Sequence, residues 1–154
     1  MPKFEVLLGD NREILNSLPE CSINTCVTSP PYFALRDYHN DDQIGTEDTP
    51  EEYVNEMVKV FQGVKRVLRD DGTLWLNIGD TFGKNKNLLG IPWLVAFALQ
   101  KDGWILRSDI VWHKTNPMPE SVKDRPTRSH EYFFLLAKNK NYYYDIESTK
   151  TVSK

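Results

Sequence analysis

Ile23-Asn24-Thr25-Cys26-Val27-Thr28-Ser29-Pro30-Pro31-Tyr32 is the stretch on which the reading of this chain turns. Its first six residues are a short, β-rich run. Proline has no amide hydrogen to give to a sheet ladder, so the strand must finish at Ser29. The chain then leaves through a stiff turn that carries one hydroxyl and one aromatic ring.

Working outward, Phe4-Glu5-Val6-Leu7-Leu8 reads as another short strand, closed by Gly9-Asp10. Residues 11–18 form one or two helical turns, with Ile14, Leu15 and Leu18 on one side and Pro19 as the stop. Residues 33–49 are a polar, acidic loop. Thr49-Pro50-Glu51-Glu52 starts a helix, with Thr49 as cap, Pro50 in the first turn and Glu52 closing a capping box. Tyr53, Met57, Val60, Phe61, Val64, Val67 and Leu68 follow at helical spacing. Asp71-Gly72 turns the chain into a buried strand over 73–78 that ends in Gly79-Asp80. Residues 88–101 read as an apolar helix stopped near Gly103. Residues 104–112 form a long strand, 114–129 a loop with Pro117, Pro119 and Pro126, and 131–137 a last strand that 141–145 extend as a hairpin.

Strands alternating with helices predict an α/β domain with a largely parallel sheet, to which 104–113 against 131–137 add an antiparallel edge hairpin. Active loops leave the carboxyl ends of strands in such folds. Asp10, Ser29 and Asp80 fall at such ends and share one rim on this reading, although Asp10 and Asp80 also suit helix caps or turns.

A chain of 154 residues is one domain with room for a real core. No apolar run reaches membrane-span length, and Met1-Pro2-Lys3-Phe4 lacks a signal-peptide core. Cys21 and Cys26 have neither metal-site spacing nor disulfide-scaffold density, which makes a reducing cytoplasm the default. The net charge of −3 is unevenly spread: residues 1–56 hold three basic and twelve acidic side chains, and residues 57–154 sixteen basic and ten acidic. Such asymmetry suits a positive face set against a polyanion, or simply two differently solvated surfaces.

Ser29-Pro30-Pro31-Tyr32 resembles the (S/N/D)PP(Y/F/W) motif of amino-group DNA methyltransferases. Ser in the first place is more similar to the N4-cytosine members than to the N6-adenine ones. The resemblance extends over the chain in order: Gly9-Asp10, Phe33-Ala34-Leu35-Arg36-Asp37-Tyr38, Trp75-Leu76-Asn77-Ile78-Gly79-Asp80, Ile110-Val111-Trp112-His113-Lys114 and Arg128-Ser129-His130-Glu131-Tyr132 are all similar to the β-type arrangement. It implies an incomplete Rossmann-like fold for S-adenosyl-L-methionine (AdoMet) methyl transfer, with 1–154 a single partial catalytic domain.

The chemistry suits these residues. An exocyclic amino nitrogen is a poor nucleophile because its lone pair is delocalised into the ring. Accepting hydrogen bonds from the amino group localises that pair, and holding the base in line with the methyl donor supplies positional gain. The prolines stiffen the turn and offer carbonyl oxygens, Ser29 adds a hydroxyl, and Tyr32 offers a face for an extruded base. Ser29, Pro30, Pro31 and Tyr32 are thus the candidate catalytic residues. The family resemblance places Asp10 near the AdoMet pocket, and Thr28 and Ser29 join it as cofactor candidates. Arg36, Lys114, Arg125 and Arg128 are candidate DNA-phosphate contacts. Trp75, Trp93, Trp104 and Trp112 read as packing residues. His113 and His130 show no metal-ligand pattern, and neither cysteine follows a proline as in 5-methylcytosine enzymes.

A complete family member also carries a loop resembling Phe-x-Gly-x-Gly and a target-recognition region. Neither occurs before Lys154, and Gly79-Asp80-Thr81-Phe82-Gly83 matches a different family motif. In the family's sheet the strands flanking that loop lie between the strand ending at Asp10 and the one ending at Ser29. The expectation is therefore a bare edge along residues 23–28, completed by a homodimer, by direct pairing with 4–8, or by a second chain carrying the missing half. Three functions stay open: methyl transfer to a DNA base as part of a split or truncated enzyme, an inactive remnant that binds DNA or a partner, and an amino-methyltransferase acting on RNA or protein glutamine.

Overall fold

The computed structural model describes residues 4–40 and 42–151; Asp41 of the acidic loop and both chain ends, Met1 and Lys154 included, lie outside them. Helix α1 spans Asn11–Ser17, β1 Ile23–Thr28, α2 Pro50–Val67, β2 Leu68–Ile78, α3 Ile91–Lys101, β3 Ile105–His113 and β4 His130–Ala137, and a 3-10 turn covers Glu147–Thr149.

The α2 start is the one its sequence calls for. Thr49 Oγ1 accepts from the Glu52 amide at 3.2 Å, and the Glu52 carboxylate accepts from the Thr49 amide at 3.1 Å. Tyr53, Met57, Val60, Phe61, Val64 and Val67 are all buried along one stripe. The first five form one core with Ile91, Val95, Ala96 and Leu99 of α3 and with Leu74, Leu76, Ile78, Phe134 and Leu136 of the sheet. Arg66 holds α1 down by donating to the carbonyls of Leu15 and Leu18 at 2.6 and 2.9 Å.

The sheet order is β1-β2-β4-β3. β1 and β2 run parallel, with Thr28 opposite Leu76. β4 is antiparallel to both β2 and β3, with Leu76 opposite Phe134 and Asn77 opposite Phe133. The expected α/β domain and its antiparallel hairpin are present, while parallel pairing among the described residues is confined to the β1–β2 junction.

Three local expectations need correction. Residues 4–8 form no strand, and Phe4 and Leu8 stand 92% and 97% exposed. With no ladder beside them they cannot pair, so direct closure of 4–8 onto 23–28 does not occur. β2 begins at Leu68, with Asp71-Gly72 inside the strand rather than turning before it. Fully buried Leu68 sits in register with Ile23, and Lys138 and Asn139 donate to the carbonyls of Leu68 and Asp70, which holds the segment against the sheet. Residues 141–145 add no strand; the Tyr143 amide donates to the Asp71 carbonyl and Arg107 Nε to Tyr142 Oη, both at 3.0 Å, and these tie them down.

β1 is left at one end of the sheet, with Val27 68% exposed. Amide exchange gives the test: β1 amides directed away from β2 should exchange as fast as loop amides, while β2 amides stay protected. Uniform protection across β1 would mean that something pairs with it in solution.

Candidate active site

A cavity of about 760 Å³ opens where β1 and β2 end, and Ser29 to Tyr32, Gly79, Asp80 and Glu131 help to line it. Ser29 and Asp80 thus share a rim, as read from the sequence. Tyr32 is its centre. A Cβ on Gly79 would stand 2.5 Å from Tyr32 Cε2 and 2.8 Å from Cδ2, so the bare backbone of Gly79 is what lets the ring lie there. Gly45 plays the same part behind the turn: its φ is +105°, and a Cβ there would meet the Tyr32 carbonyl at 2.9 Å.

Hydrogen bonds fix the rest. Ser29 Oγ donates to Tyr32 Oη at 3.3 Å. Tyr32 Oη lies 2.9 Å from both Asn77 Oδ1 and Glu131 Oε2. Buried Asn77 is oriented by its amide, which donates to the Tyr132 carbonyl at 3.2 Å. Lys114 pairs with Glu131. The Pro31 carbonyl accepts from Tyr53 Oη at 2.9 Å, which removes it from the oxygens open to a ligand and leaves those of Ser29 and Pro30.

Burial, helped by the Glu131 charge, pushes the Tyr32 hydroxyl up to about 12, and burial pushes Tyr53 higher still. Burial also raises the Glu131 carboxyl, but the Lys114 and Tyr32 hydrogen bonds outweigh it and hold the group below the usual carboxylate range. A tyrosine pKa raised by folding stabilises the fold fully below its unfolded value of about 10 and loses that contribution as pH climbs through the folded value. Stability should therefore fall between about pH 10 and 12. Absorbance titration of the seven tyrosines should show a late component that Tyr32→Phe and Tyr53→Phe each diminish. Titration of all seven near pH 10 would show that the two hydroxyls are not buried.

Asp80 is a structural cap. Its carboxylate accepts from the amides of Gly90 and Ile91 at 3.1 and 3.0 Å, at the start of α3, where Gly90 offers no side chain. Asp80→Ala should lower stability by about 1–2 kcal/mol, read as a reduced urea midpoint. An unchanged midpoint would leave α3 without need of this cap. Asp10 likewise caps α1 and binds the Arg12 guanidinium, whose hydrogen bonds hold its carboxyl at about 2. Neither Asp10 nor Thr28 lines the cavity.

Of the basic candidates, Arg36, Lys114 and Arg128 line the cavity. Arg128 also donates to the Asp80 carbonyl at 3.1 Å. Arg125 lies over the Phe82 ring at 4.2 Å and pairs with Glu120 at 2.7 Å, lining a neighbouring depression instead. Among the described residues no group of three or more His, Cys, Asp or Glu forms a metal site. Sequence reasoning gave no role to Tyr53, Asn77, Gly79 or Glu131 at this site. Glu131 lay inside a quoted motif and Tyr53 on a helical stripe, but nothing local said that either meets the turn.

Residues 23–153 match a DNA methylase family model that covers N6 and N4 methyltransferases. The chain belongs to this DNA methylase family. The type II methyltransferase M.SmaI of Serratia marcescens is 48% identical over 174 residues, covering 95% of this chain and 60% of that protein. M.Cfr9I of Citrobacter freundii is 49% identical over 170 residues, covering 92% and 57%. The chain thus spans about three fifths of the length of these curated relatives. Among solved structures, the cytosine-N4-specific PvuII DNA methyltransferase shares the fold with a TM-score of 0.78 at 23% identity, over 92% of this chain and 51% of that one. A DNA modification methylase of Thermus thermophilus, complexed with S-adenosyl-L-methionine, aligns with a TM-score of 0.68 at 28% identity, over 92% and 58%.

Proposed function

We propose that this chain forms the base-binding side of a site-specific DNA methyltransferase that places a methyl group on an exocyclic amino nitrogen, with cytosine N4 as the target. The observation that carries the reading is Tyr32, backed by Gly79 and tethered through its hydroxyl, beside Ser29 at the end of β1. An extruded base stacks on the free face of that ring. Ser29 gives its own proton to Tyr32, so its oxygen is free to accept from the base amino group, alongside the Pro30 carbonyl. Those bonds localise the nitrogen lone pair. Arg36 and Lys114 flank the cavity and favour a phosphate backbone.

AdoMet supplies the electrophilic methyl. The cavity, at about 760 Å³, has room beside a flat base for the methyl-bearing end of such a donor, with Ser29 as the neighbouring cofactor residue. Thr28 and Asp10 would join only from outside the cavity, and Asp10 only by releasing Arg12. The glycine loop and recognition region belong to a complementary chain or segment that pairs along β1. A DNA substrate places the protein in the cytoplasm.

The test is methyl transfer to DNA by this chain with its complement, read by nucleoside mass spectrometry. N4-methylcytosine is expected, and Pro31→Ala and Tyr32→Ala should abolish it while folding persists. N6-methyladenine would move the target to the other amino base. The engaged Asp10 carboxylate favours one second reading, a remnant that binds DNA or a partner without chemistry. No methylation, together with no heat of AdoMet binding in calorimetry, would establish it.

A further inference from the structure

We propose that Glu131 takes up the proton that the amino nitrogen sheds on methylation, reached through Ser29 and Tyr32, a role that rests on the methyltransferase reading above. The three groups stand in series: Ser29 Oγ donates to Tyr32 Oη at 3.3 Å, and Tyr32 Oη reaches Glu131 Oε2 at 2.9 Å. The hydrogen bonds therefore already point from the base toward the carboxylate.

Atoms and charges balance. The nitrogen lone pair forms the new N–C bond, and the donor's S–C bond breaks with its electrons kept on sulfur. The nitrogen, now cationic, loses one hydrogen as a proton, and the N–H electrons restore the amine. Ser29 receives that proton while its own passes to Tyr32, and the Tyr32 proton passes to Glu131. The sulfonium charge and the carboxylate charge cancel, leaving a thioether, a neutral methylated base and a neutral carboxylic acid. Because the hops are concerted, Tyr32 never has to ionise.

The resting network is also one proton short. Tyr32 Oη faces two acceptors at 2.9 Å, Asn77 Oδ1 and Glu131 Oε2, and has a single proton to give. Asn77 cannot turn to relieve this, because its amide is committed to the Tyr132 carbonyl. One added proton on Glu131 satisfies every atom: Glu131 donates to Tyr32, and Tyr32 donates to Asn77. Lys114, on the loop after β3, keeps the carboxylate ionised and ready to receive it. The other charged or titratable groups around the cavity are Arg36, Tyr38, Asp80, Glu120, Arg128 and His130. Glu131 keeps 14% of its side chain exposed, which gives the proton a way out to water.

Two measurements test this. In the chain alone, the Tyr32 Cζ resonance, assigned by Tyr32→Phe, should shift at acid pH in step with the Glu131 carboxyl. Glu131→Gln should abolish that step and Glu131→Asp retain it; a wild-type Tyr32 signal blind to Glu131 overturns the relay. In methyl transfer by the protein with donor, DNA and any complementary chain, Glu131→Gln should lower kcat about 100-fold. KM for DNA should hold, the acid limb of the pH profile should vanish, and Glu131→Asp should recover much of the rate. Equal losses in both variants, or a change in KM alone, would make Glu131 a prop for Tyr32 and overturn the relay. A wild-type protein that methylates nothing despite an intact resonance step removes the methyltransferase reading, and the relay's task with it. One that methylates indifferently to Glu131 overturns the relay alone.

Discussion

On the proposed base-binding reading, Gly79→Ala is expected to weaken base binding about 10- to 100-fold while the chain stays folded. The added methyl would stand 2.5 and 2.8 Å from two carbons of the Tyr32 ring, where carbon contacts settle at about 3.5–4.0 Å. Neither side can yield cheaply. Gly79 is buried at the end of β2, and the ring is tethered by Asn77 and Glu131. The ring must tilt, which breaks its hydroxyl contacts and removes the flat surface from the cavity. Overpacking of this kind costs about 1–3 kcal/mol of stability. A lost base-stacking platform costs about 1–3 kcal/mol of affinity, on the order of 10- to 100-fold. Binding of a cytosine-containing single-stranded oligonucleotide, followed by fluorescence, is the measurement, with circular dichroism as the check on folding. Gly79→Ala and Tyr32→Ala should lose similar affinity, and the double variant little more, since both remove one surface. Wild-type affinity in a folded Gly79→Ala chain would show that the ring's position is not what the base needs.

What was legible beforehand follows the range of the interactions. The α2 start could be read because its cap joins residues three apart and its buried stripe repeats at the helical period. The β1 end could be read because proline acts on its own backbone. Residues 4–8 carry a strand-like pattern, but a strand exists only through its neighbour, and none of the described strands pairs with them. The sequence suits Asp80 to a rim or to a cap; the decision rests on amides ten and eleven residues further along, whose approach depends on how the intervening loop folds. Asn77 and Glu131 escaped altogether as partners of Tyr32. They lie 45 and 99 residues from it, and only the antiparallel β2–β4 register, with Ile78 opposite Tyr132, brings them to one hydroxyl. Motif resemblance marked the neighbourhood of this network without its wiring.

That register also makes Phe134→Ala the most damaging core change expected. Phe134 is fully buried opposite Leu76, with Trp93 edge-on at 5.2 Å and Tyr132 stacked at 5.9 Å. Truncating such a ring removes about 3–5 kcal/mol, a large share of the roughly 5–15 kcal/mol that holds a domain together. The damage should reach the cavity as well. Trp93 and Tyr132 lose the ring against which both pack, and the Tyr132 carbonyl is what orients Asn77 toward Tyr32. Urea unfolding should show a sharply lowered midpoint, with the slope unchanged if the chain remains two-state. Phe134→Leu should lose much less, because it refills most of the space. Below the transition, Phe134→Ala should also bind the oligonucleotide more weakly although it touches no ligand. A large loss of stability with unaltered binding would mean that Asn77 is held by the strand backbone alone, and that α3 packing and the Tyr32 platform are independent of one another.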